Sequence, residues 1–229
     1  MDVLVRYLEL NKFKRLKSNL TLPVVVHSVP GAGKSSVIRE IIRADPRFEA
    51  CTYGKPDQPH LSGRWIKEAK GFTPKTPFLL VDEYIEAAEP IAAFAYFADP
   101  IQGGAGEILE PHFIKTESHR FGRCTAQLLR ELNFEVTAEK EDVVQIKGLY
   151  EVDPKDTIIF FEKEVGNLLR AHGLVCYCIN EIRGQTFDSV TFATSECKPE
   201  IDPAKAFQCL TRHRRSLLIL NPDASYSAA

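Results

Sequence analysis

No stretch of this chain approaches the roughly 20 consecutive apolar residues needed to cross a bilayer. The N-terminus, MDVLVRYLELNKFK, carries charge throughout and lacks the apolar core of a signal peptide. Neither a membrane span nor a secretory leader is expected. An excess of one charge sign is also missing, with 29 Lys+Arg against 31 Asp+Glu and a formal net charge of -2. The global field will not attract a polyanion, so any nucleic-acid surface must be a local patch. Cysteine is sparse. The six, at 51, 124, 176, 178, 197 and 209, contain no C-x-x-C pair. They read as buried free thiols in a reducing, intracellular setting, with Cys176 and Cys178 on one face of a strand. No internal repeat is evident at motif level.

What is present suffices for a core: 229 residues, 44% of them hydrophobic, enough for one large domain or two compact ones. Residues 2–18 read as an amphipathic helix with a solvated basic face. LPVVVHS is a short β-branched run of the kind that forms a buried strand. KSSVIREIIRA follows with a helical apolar stripe at 37, 38, 41 and 42, stopped by Asp45-Pro46. A polar passage, CTYGKPDQPHLSGRW, comes next. PFLLVDEY and IAAFAYFADP are two further strands, each ending in an acid. IQGGAGEILEP, 101–111, breaks the composition and is a hinge candidate. Beyond it HFIKT, VVQIKG, TIIFF, LVCYC, SVTFAT and SLLIL read as strands, RFGRCTAQLLREL and AKAFQCLTR as helices. The expected fold class is therefore α/β, two compact units with mainly parallel sheets covered on both faces. The boundary is placed between residues 1–104 and 105–229, and the tail DASYSAA is expected to fray.

The chemistry begins at HSVPGAGKSS, 27–36. Gly31 and Gly33 let backbone N–H groups turn toward phosphate without a Cβ in the way. Pro30, Ala32 and Ser36 complete the loop. Lys34 can reach the β- and γ-phosphates, and the Ser35 hydroxyl is placed for Mg²⁺. The helix that starts at Lys34 adds its positive end. The pattern G-x-x-x-x-G-K-[ST] has Ser28 in place of its first glycine, a substitution a small residue accommodates if its φ stays negative. Asp82 and Glu83 close a strand, where acids face the ligand crevice. Asp82 is the expected metal partner and Glu83 the base that orients and deprotonates water. Gln102, in ADPIQ, is placed to report on the γ-phosphate. Arg120 in SHRFG and Arg212 in LTRHRR have the character of arginine fingers, supplied from a second element. A P-loop kinase would leave both arginines unexplained.

Taken in order, GAGKSS, DEY, ADPIQ, SHRFG, EIRGQTF and LTRHR resemble the motif series of the superfamily 1 RNA helicases of plant positive-strand viruses. The series spans residues 28–215, nearly the whole chain. GKPDQPHLSGRWI narrows the resemblance to the first movement proteins of the potexvirus triple gene block. The resemblance implies a P-loop, RecA-like fold and an ATPase that uses ATP and Mg²⁺ and binds single-stranded RNA. It implies a movement protein that carries viral RNA from cell to cell and suppresses RNA silencing. The expected settings are the host cytoplasm and plasmodesmata. Implied partners are viral coat protein, sister movement proteins, host silencing factors and a second copy of the chain. It assigns nucleotide and RNA coupling to Gly184 and Gln185 and a ribose contact to Glu181. Three departures stand out: Ser28, Ala98 where a glycine is usual, and Arg183 where E-x-Q-G has glutamine. Lys55, Arg64 and Lys67 are the basic candidates for RNA. With no inserted accessory domain to act as a wedge, weak unwinding is expected. The rival reading is a binding protein whose nucleotide site tunes shape or self-association while its ATPase is dispensable.

Overall fold

The computed structural model describes residues 1–154 and 156–227. The chain divides into two compact units, Met1–Thr116 and Glu117–Ala229. In the first unit the elements run α1 (Asp2–Leu10), β1 (Lys14–Arg15), β2 (Val24–Ser28), α2 (Lys34–Ala44), β3 (Glu49–Thr52), β4 (Lys67–Glu68), β5 (Leu79–Asp82), β6 (Ala95–Ala98) and β7 (Phe113–Lys115). They build one seven-stranded sheet in the order β1-β7-β2-β6-β5-β3-β4. Every pairing is parallel except β1 with β7.

The strands lack a polar face because both faces are covered. Val24, Val26, Leu80, Ala95 and Phe97 meet Leu4 and Leu8 of α1 and Val37, Ile38 and Ile41 of α2. Val25, Leu79, Val81, Tyr96 and Ala98 point to the other side, against Tyr84, Ile85, Phe72, Ile91 and Leu109. The short 3-10 turn Tyr84–Glu86 and irregular backbone, not an α-helix, close that second face.

That packing corrects the hinge reading of 101–111. Gly106 donates its N–H to the Ile85 carbonyl at 2.8 Å, so this segment lies flat on the turn Tyr84–Glu86. A Cβ on Gly104 or Gly106 would collide with the carbonyl oxygens of Ile85 and Ala87 respectively. The glycines here permit close approach rather than bending. HFIKT then supplies β7 to the first sheet, beside β2. The division between the units thus falls after Thr116, downstream of the expected 104/105.

The second unit contains β8 (Glu117–Ser118), α3 (Arg123–Glu131), β9 (Thr137–Ala138), β10 (Val143–Gly148), β11 (Thr157–Phe160), α4 (Lys163–Ala171), β12 (Cys176–Cys178), β13 (Phe187–Ala193), α5 (Pro203–Leu210) and β14 (His213–Asn221). A five-stranded parallel sheet has the order β10-β14-β13-β11-β12, and β8 pairs with β9. Helix α4 and strand β3 were not foreseen. EACT is too short to show a period, and the large apolar residues of KEVGNLLRA, Val165, Leu168 and Leu169, span little more than one turn.

Two further expectations change. The N-terminal helix stops at Leu10 rather than near residue 18, because Lys12 takes a left-handed φ of 60° and Lys14–Arg15 pair with β7. Of the six thiols, Cys51, Cys176 and Cys209 are buried, whereas Cys178 and Cys197 are half-buried and Cys124 is exposed on α3. Along β12 the outward residue is Tyr177, so Cys176 and Cys178 do share a face. Among the described residues no helix is long and apolar enough to cross a membrane.

Candidate active site

Strand β2 lies between β6 and β7, so the chain leaves it toward β3 on one side and returns to β7 on the other. Ligands of parallel sheets sit outside the carboxyl ends of the strands where the order reverses in this way. The ends of β2, β6 and β5 are Ser28, Ala98 and Asp82. The glycine loop and the acids therefore converge because of the topology.

Gly31 and Gly33 have φ of 76° and 98°, a region costly for any residue with a Cβ. Nothing lies within 4 Å of a Cβ built on Gly33, which keeps the loop's inner side open. Ser28 does not turn at all. It is the last residue of β2, paired with Lys115, and its φ is not positive. The turn starts after it, which is why the missing glycine is tolerated. Pro30 and Ala32 are buried, Gly31 and Gly33 half-buried, and Ser36 faces outward in the first turn of α2.

Lys34 is only 7% exposed. Its Nζ donates to the Ser28 carbonyl at 3.2 Å and lies 4.0 Å from Glu83 Oε1. Ser35 Oγ donates to Asp82 Oδ2 at 2.9 Å. Asp82 Oδ1 accepts the Glu83 N–H at 3.1 Å. Burial raises the Asp82 carboxyl, against the pull of Lys34 and of the Ser35 hydrogen bond. Burial also pushes Glu83 up to about 7; Lys34 opposes this, and the charges of Asp82 and Asp99 add to it. Glu83 sits at φ 52°, ψ 42°, a left-handed conformation rare for glutamate and typical of functional strain. Gln102 Nε2 donates to Asp99 Oδ2 at 2.9 Å, and the Asp99 charge is felt by Glu83.

The donor set fits a nucleotide with a divalent cation. A hydroxyl and a carboxylate already converge at Ser35 and Asp82, and hard oxygen ligands of this kind suit Mg²⁺. Two adjacent carboxyls face one ammonium, an excess of negative charge that a bound cation would relieve.

Two neighbours of the loop escaped the sequence reading. His27 Nε2 is 3.0 Å from the Tyr84 hydroxyl, with the rings stacked at 13°. The same hydroxyl accepts the Leu109 N–H at 3.0 Å. Burial and the nearby Lys34 charge pull the His27 imidazole down to about 4. Tyr84 thus pins the loop strand, the residue after Glu83 and the glycine-rich segment to one point. A tyrosine in a DEY run carries no local signal of this.

The second unit brings its two arginine motifs together. Arg120 Nη1 donates to the Thr211 carbonyl at 3.2 Å, immediately before Arg212. Arg212 is 4% exposed, and its carbonyl accepts the Phe187 N–H. Glu181, Gly184 and Gln185 lie on an exposed turn ahead of β13, with Gly184 at φ 72°. The Glu181 carboxylate is engaged by the Cys178 N–H at 2.6 Å. Of the three basic RNA candidates, Lys55 is exposed. Arg64 is tied to the Ile42 carbonyl at 3.0 Å, and Lys67 lies 5.6 Å above both the Trp65 and Phe72 rings.

Glycine loop, strand-end acids and switch-point topology together define a P-loop NTPase fold with RecA-like parallel sheets. The sequence profile of the viral superfamily 1 RNA helicase core domain matches residues 24–221. The movement and silencing protein TGBp1 of Lily symptomless virus is 58% identical over 229 residues, covering 100% of both chains. That of Chrysanthemum virus B is 48% identical over 230 residues, again covering 100% of both. A solved arterivirus nonstructural protein 10 helicase, in complex with DNA, superposes with a TM-score of 0.64 over 86% of this chain and 60% of its own length. At 18% identity it supports the fold alone. The chain belongs to the viral superfamily 1 RNA helicase core family and, within it, to the family of movement and silencing proteins TGBp1.

Proposed function

We propose that this protein is an ATPase stimulated by single-stranded RNA, acting in cell-to-cell movement of viral RNA and in suppression of RNA silencing. The observation that carries the enzymatic part is the convergence of Lys34, Ser35, Asp82 and Glu83 at the open glycine loop. The movement and silencing part rests on the relatives' names.

In this reading the backbone N–H groups of residues 31–36 and the Lys34 ammonium hold the phosphates. Ser35 and Asp82 hold Mg²⁺, which when bound offsets charge on the phosphate oxygens. Glu83 orients the attacking water and takes its proton. Its raised carboxyl suits a base working near neutrality, and the neighbouring Lys34 favours the ionised form the role requires. Gln102, anchored on Asp99, reads the state of the γ-phosphate. Arg120 and Arg212, linked through Thr211, supply positive charge to the transferring group. Glu181, Gly184 and Gln185 join nucleotide to RNA. The two units account for the described residues and leave no inserted domain among them to part a duplex, so weak unwinding is expected.

The test is ATP hydrolysis with and without single-stranded RNA, for wild type and Lys34→Ala. Hydrolysis that rises with RNA and vanishes in Lys34→Ala is expected. Hydrolysis indifferent to RNA would sink the motor reading. Movement that survives Lys34→Ala would show that the biological role is binding rather than turnover.

A further inference from the structure

Asp142 belongs to none of the motifs, yet it is among the most heavily bonded side chains of the second unit. It stands just before β10, is 7% exposed, and accepts the backbone N–H groups of Gly122 at 2.9 Å and Cys124 at 2.8 Å. It also accepts the Thr125 hydroxyl at 2.6 Å. Thr125 Oγ lies 2.9 Å from His213 Nε2, which is itself 3.3 Å from Asp142 Oδ2. The threonine has one proton and gives it to the carboxylate, so it must accept from the imidazole. His213 therefore carries a proton on Nε2. Its Nδ1 is buried without a hydrogen-bond partner, which a bare nitrogen tolerates better than an N–H donor. Burial works to raise the Asp142 carboxyl, but the bonds from His213, Thr125 and the two amides outweigh it and hold the group at about 2.

Each partner in this cluster adjoins an arginine loop. Gly122 closes SHRFG, two residues after Arg120, and His213 follows Arg212. The Phe121 ring, fully buried, packs 6.4 Å from the His213 ring. A Cβ on Gly122 would lie 2.6 Å from both Asp142 Oδ1 and the Lys140 carbonyl, so the glycine is there to let the carboxylate in. Arg120 in turn bonds to Thr211, on the far side of Arg212. One carboxylate thus fixes the backbone behind the first arginine and the side chain beside the second.

We propose that Asp142, Thr125 and His213 form a positioning clamp that sets the placement of Arg120 and Arg212 for phosphoryl transfer. Thr125, Asp142 and His213 are buried and act through the two arginines, so they are positioning residues. The proposal rests on the reading of the arginines as groups that stabilise phosphate charge.

Thr125→Val breaks the relay while nearly keeping shape, and Thr125→Ser restores the hydroxyl. Misplacing a catalytic group by about 1 Å costs on the order of 100-fold in rate. Thr125→Val is therefore expected to lower kcat for ATP at least tenfold, with KM within about twofold of wild type and recovery in Thr125→Ser. Asp142→Asn serves as a second variant, checked for folding by circular dichroism. A structural role alone would lower the melting temperature and the active fraction. It would not be silent in an Arg120→Ala/Arg212→Ala background, whereas the clamp requires that Thr125→Val add little there. Additive losses, or an unchanged kcat in Thr125→Val, would overturn the clamp while Arg212→Ala still impairs hydrolysis. An Arg212→Ala enzyme as fast as wild type would overturn the reading of the arginine, and the clamp with it.

Discussion

Gly104→Ala tests the strap role of the glycine-rich segment. The added methyl would be driven into the Ile85 carbonyl, a backbone atom that cannot swing aside. The segment must lift, and two hydrogen bonds go with it: Gly106 N–H to Ile85 O at 2.8 Å and Leu109 N–H to Tyr84 Oη at 3.0 Å. Each such bond contributes about 0.5–1.5 kcal/mol, and forced overpacking costs roughly 1–3 kcal/mol. Together these predict a loss of about 2–6 kcal/mol, a large share of a typical total of roughly 5–15 kcal/mol. Urea unfolding measures it. With a slope of about 1–3 kcal/mol per molar, the transition of the first unit should move down by on the order of 1 M. Gly63→Ala is the control, since φ there is 71° but nothing lies within 4 Å. That variant should lose only the left-handed strain of about 1–2 kcal/mol. Because Tyr84 follows Glu83, Gly104→Ala should also slow ATP hydrolysis. A midpoint for Gly104→Ala no lower than that for Gly63→Ala would refute the reasoning and return the segment to the status of a free hinge.

Glu83→Gln should cut ATP turnover by about 100- to 10,000-fold while leaving nucleotide binding near wild type, as read by single-turnover hydrolysis and equilibrium titration. The Glu83 carboxyl is raised from 4.5 to about 7 in the fold. The stability this contributes is present below the unfolded value of 4.5 and is lost as pH rises through 7. Nucleotide-free Glu83→Gln should therefore gain stability over wild type at pH 8 and show little gain at pH 4.5. A pH-independent difference in melting temperature would contradict the assignment. The same ionisation predicts hydrolysis that rises with pH toward neutrality in wild type. Tyr84→Phe removes the acceptor for the Leu109 N–H and the partner of His27, and should cost about 1–3 kcal/mol in chemical denaturation. Gly166→Ala would place a methyl in the Phe160 ring on the inner face of α4 and should destabilise the second unit by roughly 1–3 kcal/mol, read by thermal unfolding.

Some of this was legible in the sequence because it is local. Strand, glycine turn and helix follow one another over 24–44, and the φ demands of Gly31 and Gly33 are met within the loop itself. The acids at Asp82 and Glu83 end an apolar run, which places them at a strand's carboxyl end whatever surrounds them. The motifs SHRFG and LTRHRR singled out Arg120 and Arg212, and the bond from Arg120 to the Thr211 carbonyl brings those two motifs together. Other features need distant residues and leave no period or spacing to read. β7 joins the first sheet only because β2 has an unpaired side to offer, so composition near 101–111 misplaced the boundary. The glycines there looked like freedom, yet their missing side chains make room for a carbonyl that belongs to residue 85. Asp142 sits in EKEDVVQ, where one acid among several looks like solvated surface. Burial against Gly122, Thr125 and His213 gives it a task, and those contacts join residues far apart in the chain. Sequence alone determined which chemical groups this protein carries and the local turns that present them. Tertiary structure decided which of those groups share a carboxylate, a hydroxyl or a close backbone approach, because such contacts form only when separate strands pack.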